Sequence, residues 1–119
     1  MSQAEVTIYH NPRCSKSRQT LELIKQQGIT PNVVEYLSSP PDATTLKDFV
    51  KLLDTSPRGI MRTKEAEYKD NTLNNPNLSD DDLIKAITEF PKLLERPIVL
   101  CNGKAAIGRP PENILAILP

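Results

Sequence analysis

The residues of this chain that are best suited to chemistry lie together in residues 9–18, which read YHNPRCSKSR. The segment contains Cys14, the only histidine of the chain, His10, and three cationic side chains. Thiol chemistry proceeds through the thiolate, and a free cysteine with a pKa near ~8.5 is only a few per cent ionised at neutral pH. Cations and the N–H groups of a helix N-terminus would lower that pKa, and a drop of about two units would ionise most of the thiol. The same groups would bind an oxyanion.

The two cysteines of the chain have different surroundings. A lone cysteine is often a small buried hydrophobe or an incidental loop thiol. The pattern Pro-x-Cys at Cys14 stands between a predicted strand and a predicted helix start, and that position favours a reactive thiol. Cys101 falls in an apolar segment beside a predicted hairpin, so we predict that it belongs to the core.

Three neighbours of Cys14 are candidate site residues, and each has two interpretations. His10 either pairs electrostatically with the thiolate or donates a structural hydrogen bond in the loop. Ser17 either donates a hydrogen bond to the thiolate or caps the start of the helix. Asn11 most simply shapes the loop, and contact with an oxyanion is the alternative.

The elements that position this segment form a predicted βαβ unit. Residues 5–9 read as a buried strand, and one face of the following helix is formed at helical spacing by Ser17, Thr20, Leu21 and Ile24. Gly28 is placed to end that helix, and residues 32–36 form a second strand. Such a unit is right-handed with parallel strands, so the loop that holds Cys14 is expected at the carboxyl end of the sheet, where α/β proteins bind ligands.

The middle of the chain reads as a series of helices. Asp42 or Thr44 caps the first of them, and Ser56-Pro57 starts a short second one. Residues 70–78 are rich in asparagine and are predicted as a loop. Ser79 and the three aspartates that follow it are a strong helix start, because a cap is followed by carboxylates in the first turn.

The last third of the chain returns to strands. Residues 96–101 form a strand, Asn102-Gly103 is a strong signal for a two-residue hairpin turn, and residues 104–107 form the returning strand. A closing helix begins at Pro110-Pro111 and includes Leu118.

This order of elements predicts the fold class and the domain organisation. The succession βαβ, several helices and ββα predicts an α/β fold, in which a thioredoxin-like layer with a mixed four-stranded sheet carries an all-helical insertion. A length of 119 residues favours one domain. We predict a single domain over residues 1–119, with the layer at about 1–41 and 93–119 and the insertion at about 42–92.

Three arginines are candidates for oxyanion binding at Cys14. Arg96 lies at the entry of the third predicted strand and Arg109 follows the fourth, so both are expected at the end of the sheet that carries the thiol. Arg62 belongs to the helical insertion and would close over the site. Arginine binds tetrahedral oxyanions through paired charge-assisted hydrogen bonds better than lysine does. The alternative is that all three are ordinary surface arginines. A cis peptide bond at Pro97 would suit the bend beside Arg96.

Composition excludes several functional classes. The chain has 15 cationic and 15 anionic side chains, which argues against a nucleic-acid or membrane-surface protein. No apolar run is long enough to span a bilayer, and residues 1–5 do not resemble a secretory signal. Two distant cysteines do not form a disulfide framework, so we predict a cytoplasmic protein. One histidine and two cysteines predict no metal site.

The motifs together resemble one family, the glutaredoxin-coupled arsenate reductases of the ArsC type within the wider ArsC/Spx group. The resemblance covers nearly the whole chain. It is carried by residues 9–14 with Ser17-Arg18, by Arg62, by residues 96–99 and by residues 108–110. The chain is similar in particular to the shorter, ArsC-like branch, since it ends at Pro119 where well-studied arsenate reductases have a longer tail.

The resemblance implies an activity and a role for each motif residue. It implies that Cys14 attacks arsenate and forms a covalent arsenic–sulfur adduct, and that Arg62, Arg96 and Arg109 bind the oxyanion. It implies that His10 and Ser17 keep the thiolate ionised. It further implies that glutathione is the co-substrate, that glutaredoxin regenerates Cys14, and that no cofactor is tightly bound.

Two other functions compete with arsenate reduction. An Spx-like regulator that binds RNA polymerase would share the fold, but that group commonly uses a Cys-x-x-Cys switch and Ser17 takes the place of its second cysteine. The other alternative is a thiol or oxyanion reductase whose main substrate is not arsenate. Arsenate, phosphate and sulfate are alike in shape and charge, so phosphate or sulfate is expected to compete for the site.

Overall fold

The computed structural model describes residues 5–118 of the chain. Residues 1–4 and 119 lie outside this range, so the predictions made for residues 1–4 and for Pro119 concern residues that are not described. The described chain forms two compact units. Residues 5–39 and 96–118 form the first, and residues 40–95 form the second.

The first unit is built on a mixed four-stranded sheet, as the sequence predicted. Its spatial order is β2-β1-β3-β4. The central strand β1 pairs in parallel with β2 and antiparallel with β3, and β3 pairs antiparallel with β4. The strands are β1 (Val6–His10), β2 (Asn32–Glu35), β3 (Ile98–Cys101) and β4 (Lys104–Ile107).

Helix α1 (Ser15–Gln26) connects the two parallel strands. Its buried face carries Thr20 and Ile24, and it ends at Gln26, two residues before Gly28. Gly28 has a φ of 77°, in the left-handed region where glycine is tolerated without steric cost. The predicted stop signal is therefore confirmed, and the loop before α1 is placed at the carboxyl end of β1.

The core of this unit lies between α1, the sheet and the closing segment. Val6 and Ile8 of β1 contact Val99 and Cys101 of β3, together with buried isoleucines of α1 and of the closing segment. Cys101 is 1% exposed, so its prediction as a core residue is confirmed. Burying such side chains is the main favourable contribution to folding, at about 25 cal/mol per Å² of apolar surface.

The β3–β4 hairpin turns at Asn102-Gly103, as predicted. Both residues lie in the left-handed region, with φ of 53° and 73°, which is the geometry of a two-residue primed turn. The closing segment differs from the prediction, because Pro111–Ala116 is a 3-10 helix instead of an α-helix. The 3-10 pattern, with hydrogen bonds from i to i+3, is common in short helical pieces.

The second unit is helical. Its α-helices are α2 (Ala43–Leu52), α3 (Ala66–Asp70) and α4 (Asp80–Glu89), with 3-10 helices at Pro57–Ile60 and Pro91–Leu93. Asp42 caps α2 by accepting a 2.8 Å hydrogen bond from the Thr45 N–H. Ser79 and Asp82 form a reciprocal capping box at α4. Both helix starts are therefore where the sequence predicted them.

Arg58 joins three parts of the second unit. Its guanidinium donates to the Tyr68 hydroxyl at 2.7 Å, to the Leu73 carbonyl at 2.6 Å and to the Asn75 carbonyl at 2.7 Å. The loop after α3 thus has its carbonyl groups satisfied by a partly buried cation.

We expect Arg58→Met to destabilise the protein by about 2–4 kcal/mol, because three charge-assisted hydrogen bonds are lost and two carbonyls lose their partner. Urea denaturation followed by circular dichroism measures the change. Arg58→Lys should recover only part of it, since one ammonium cannot reproduce the planar fork. Equal stabilities of Arg58→Met and the wild type would contradict this account.

Within residues 5–118, no helix has both the length and the apolar character needed to cross a bilayer.

Candidate active site

Cys14 is the N-cap residue of α1. Its φ and ψ of −95° and 123° are extended, and its carbonyl accepts from the Arg18 N–H at 3.0 Å. Its own N–H donates to the Asn11 carbonyl at 3.0 Å, which closes a tight turn between β1 and the helix. The side chain is partly exposed, so a reagent from solvent can reach the sulfur. The predicted strand, loop and helix start are confirmed around it.

Two arginines from the ends of the β3–β4 hairpin surround the sulfur. A terminal nitrogen of Arg109 lies 3.6 Å from Cys14 Sγ, and Arg109 Nε donates to the Arg96 carbonyl at 2.8 Å. The guanidinium of Arg96 also faces the sulfur and stabilises its charged form. The structure therefore brings Cys14, Arg96 and Arg109 together at one end of the sheet.

The prolines beside these arginines have cis peptide bonds. The Arg96–Pro97 bond is cis, as the sequence suggested, and the Arg109–Pro110 bond is cis as well.

The pKa of Cys14 is lower than that of an ordinary thiol. Burial by itself would raise this pKa, but the Ser17 N–H, the Arg96 guanidinium and the Lys16 N–H lower it by more. The Cys14 side chain makes no capping hydrogen bond of standard geometry, yet the N–H groups of the first turn lie close enough to stabilise a negative sulfur. The helix start and one arginine together favour the thiolate over the neutral thiol.

We expect the rate of Cys14 alkylation by iodoacetamide to rise with pH and to reach half its maximum well below ~8.5, the pKa of a free cysteine. The rate at each pH is measured by mass spectrometry of the intact protein. Millimolar sulfate should slow the reaction, since the arginines that face the sulfur also bind oxyanions. A midpoint near that of free cysteine would mean that the loop does not activate the thiol.

Asn11 shapes the loop before the helix. Its side-chain oxygen accepts from the Arg13 N–H at 3.0 Å, and this local turn fixes the path of the chain toward Cys14. Arg18 strengthens the same loop by donating to the Pro12 carbonyl at 2.9 Å. The hydrogen bond from the Arg13 N–H to the Asn11 side chain is thus a contact that shapes the loop.

Ser17 is fully buried, and its hydroxyl contacts two residues at the end of β1 and the loop that follows it. Its Oγ lies 2.6 Å from His10 Nδ1 and accepts from the Asn11 N–H at 3.0 Å. As the third residue of α1, Ser17 directs its side chain back toward the end of β1, while its backbone N–H serves Cys14. Its hydroxyl therefore joins the helix to the strand.

His10 is buried, and its pKa is lower than the ordinary value of 6.5. Burial is the main cause, Glu35 opposes it, and Arg18 and Lys25 add to the lowering. The imidazole is therefore neutral at neutral pH. A neutral ring favours the structural interpretation of His10 over electrostatic pairing with the thiolate.

We expect stability to fall as the pH drops below about 6.5, because the unfolded chain takes up a proton on His10 before the folded chain does. Above that pH the ring is neutral in both the folded and the unfolded chain, so His10 causes no loss of stability there. Urea midpoints for the wild type and His10→Gln, measured between about pH 8 and pH 5, test this. The variant should lose part of the pH dependence. Parallel curves for the two proteins would contradict the prediction.

Arg62 lies in the second unit, where two carboxylates hold its side chain. Its Nε lies 3.0 Å from Glu65 Oε1, and a terminal nitrogen lies 3.5 Å from Glu95 Oε1. Its backbone N–H donates to the Leu93 carbonyl at 2.6 Å. Its part in oxyanion binding stays a prediction.

Tyr36 is a site residue that sequence reasoning missed. It directly follows β2, whose last residue, Glu35, pairs with His10 at the end of β1. The side chain is fully buried, and its hydroxyl lies close to the Arg96 guanidinium and the Asn11 side chain. Its position just after a strand that is parallel to β1 was the signal that could have revealed it.

Metal chemistry has no candidate ligand set in the described residues. Across residues 5–118, no three histidine, cysteine, aspartate or glutamate side chains are placed to hold an ion.

The arrangement combines a nucleophile with an anion-binding site. An ionisable sulfur, two guanidinium groups and the first-turn N–H groups of a helix face the same point. Such a set can attract a tetrahedral oxyanion, hold it by charge-assisted hydrogen bonds and attack its central atom.

The chain is similar to proteins of one known family. The model of the ArsC family matches residues 9–117. An arsenate reductase of Neisseria meningitidis is 58% identical over 115 residues, which are 96% of this chain and 98% of that protein. The uncharacterised protein YfgD of Escherichia coli is 56% identical over 96% of this chain and 97% of its own length. The solved structure of an arsenate reductase from Vibrio cholerae is 51% identical, with a TM-score of 0.96 over 98% of this chain and 100% of that one. The predicted thioredoxin-like α/β fold is thereby confirmed.

Proposed function

This chain belongs to the ArsC family, and we propose that it is an enzyme that reduces arsenate to arsenite, with Cys14 as its nucleophile. The observation that carries the proposal is the contact of Cys14 Sγ with Arg109, beside Arg96 and the N-terminus of α1. A lowered thiol pKa and an oxyanion-binding set at the same point are what the first step requires.

In the first step, the Cys14 thiolate attacks arsenic. A sulfur–arsenic bond forms, and one arsenate oxygen leaves as water after it has taken up protons. Arg96 and Arg109 neutralise the charge of the remaining oxygens, and Arg62 is proposed as the third arginine. Because phosphate and sulfate carry the same charge and shape, they should bind the site without forming the adduct.

In the second step, glutathione supplies the electrons. Its thiol adds to arsenic, and a disulfide between Cys14 and glutathione then forms as arsenic(V) becomes arsenic(III) and leaves as arsenite. The two thiols lose two electrons and arsenic gains them. Glutaredoxin with further glutathione reduces the mixed disulfide and restores Cys14.

One thiol of the enzyme is sufficient for this cycle. The only other cysteine, Cys101, is in the core strand β3 and is 1% exposed, and Ser17 stands where a Cys-x-x-Cys pair would have its second thiol. The proposal therefore includes glutathione as co-substrate, no tightly bound cofactor, and the reducing cytoplasm as the place of action.

A coupled assay tests the proposal. Oxidation of NADPH is followed with arsenate, glutathione, glutathione reductase and glutaredoxin, and each component is omitted in turn. We expect saturable, arsenate-dependent turnover that needs glutathione and glutaredoxin. If no turnover occurs although Cys14 is alkylated rapidly at neutral pH, the activated thiol stands and arsenate is the wrong substrate. Turnover of another oxyanion in the same assay would then identify the alternative reductase.

A further inference from the structure

The Tyr36 hydroxyl is a buried polar group whose hydrogen bonding is incomplete. The residue is fully buried at the end of β2, and its oxygen has no hydrogen-bond partner among residues 5–118. A buried hydroxyl without a partner is unfavourable, and native proteins contain few of them. Because the Tyr36 hydroxyl lies beside the nucleophile, we infer that it forms its hydrogen bond when a ligand binds.

The neighbours of this hydroxyl are groups of the active site. The Arg96 guanidinium and the Asn11 side chain lie close enough to stabilise negative charge on the Tyr36 oxygen, and the charge of Cys14 also acts on it. The Arg96 guanidinium carries N–H groups and can only donate hydrogen bonds. The lone pairs of Tyr36 therefore have a cationic donor beside them.

The hydroxyl keeps its proton under working conditions. Burial raises the pKa of Tyr36, and the charge of Arg96 only partly offsets this effect. The group next to Arg96 is thus a neutral hydroxyl, which can accept a hydrogen bond from the guanidinium without neutralising its charge. Arg96 stays available as a cation for an oxyanion.

We propose that Tyr36 is a positioning residue for oxyanion binding, whose hydroxyl accepts a hydrogen bond from Arg96 as the guanidinium turns to hold the anion at Cys14. The inference rests on the proposed function in that it uses the same oxyanion site. It adds a residue that acts through Arg96 and never touches the anion. Anion binding and the Arg96–Tyr36 hydrogen bond then stabilise each other.

The coupling makes a specific prediction for Tyr36→Phe. Sulfate should protect Cys14 from alkylation about tenfold less well, which corresponds to one hydrogen bond to a charged group. The KM for arsenate should rise by a similar factor, while kcat at saturation changes little. The urea midpoint should stay the same or rise, because the variant removes a hydroxyl that had no partner.

Tyr68→Phe is the matched control. The Tyr68 hydroxyl accepts from Arg58 at 2.7 Å in the second unit, so its removal should lower the urea midpoint and leave the sulfate affinity unchanged. The two variants delete the same atom from the same residue type and should give opposite results. One should lose anion affinity, and the other should lose stability.

Unchanged sulfate protection in Tyr36→Phe would overturn the inference. It would also be overturned if the affinity fell only together with a lower urea midpoint, since Tyr36 would then be a structural residue. Sulfate binding needs no turnover. If arsenate is not reduced by the wild type and Tyr36→Phe still weakens sulfate binding, the proposed function fails and the role of Tyr36 stands.

Discussion

Cys14→Ser lowers arsenate-dependent turnover by about a thousandfold or more, because a serine hydroxyl is not ionised near neutral pH and forms no arsenic–sulfur bond. The fold should be retained, since Cys14 is a partly exposed N-cap and serine is a preferred residue at that position. The coupled NADPH assay measures turnover, and circular dichroism verifies the fold.

Cys101→Ala is the control for this variant. It removes the second thiol from the core strand β3 and leaves the nucleophile in place. It should cost some stability through the small cavity that it creates, but turnover per folded molecule should remain. Turnover that survives Cys14→Ser, or that disappears in Cys101→Ala at full folding, would contradict the assignment of the nucleophile.

Arg96→Met should lower kcat/KM by roughly 10²–10³-fold, the usual effect of removing one donor that stabilises developing negative charge. Two losses combine, because Arg96 stabilises the Cys14 thiolate and is proposed to bind the oxyanion. The pKa of Cys14 should therefore rise in the variant. The pH dependence of alkylation measures this pKa separately from turnover. Arg96→Lys should recover part of the thiolate stabilisation and less of the anion binding.

Arg13→Met distinguishes a specific contact from general positive charge. Arg13 is next to Cys14 in sequence, but its side chain is exposed and makes no hydrogen bond or ion pair within the described chain. Its removal should change the alkylation profile little, since exposed charges are screened by salt. Equal effects of Arg13→Met and Arg96→Met would mean that only the net charge near the thiol matters.

The sequence was informative wherever a local pattern determines the structure. Strand alternation, the stop at Gly28 and the Asn102-Gly103 turn depend on residues close together in the chain, and the structure has each of them where it was predicted. The placement of Cys14 at a helix start followed from the same local signals.

Contacts between distant segments were harder to predict. Whether the Ser17 hydroxyl faces Cys14 or His10 depends on how α1 leaves the end of β1, and a spacing pattern does not contain that direction. Tyr36 enters the site because β2 lies beside β1 in register, which places two strand ends together. A single tyrosine after a short strand forms no repeating pattern in the sequence, so nothing local indicated that it lies beside the active site.

The β3–β4 hairpin limits how this protein can change in length. Ile98 pairs with Ile107, so Arg96 and Arg109 stand opposite each other two positions beyond that pair, joined by the 2.8 Å hydrogen bond. Inserting one residue in either strand would shift the pairing and turn one arginine to the other face of the sheet. Evolution or design can therefore vary the tip at Asn102-Gly103 or lengthen both strands equally, while an unmatched insertion separates two charges that act as one binding group.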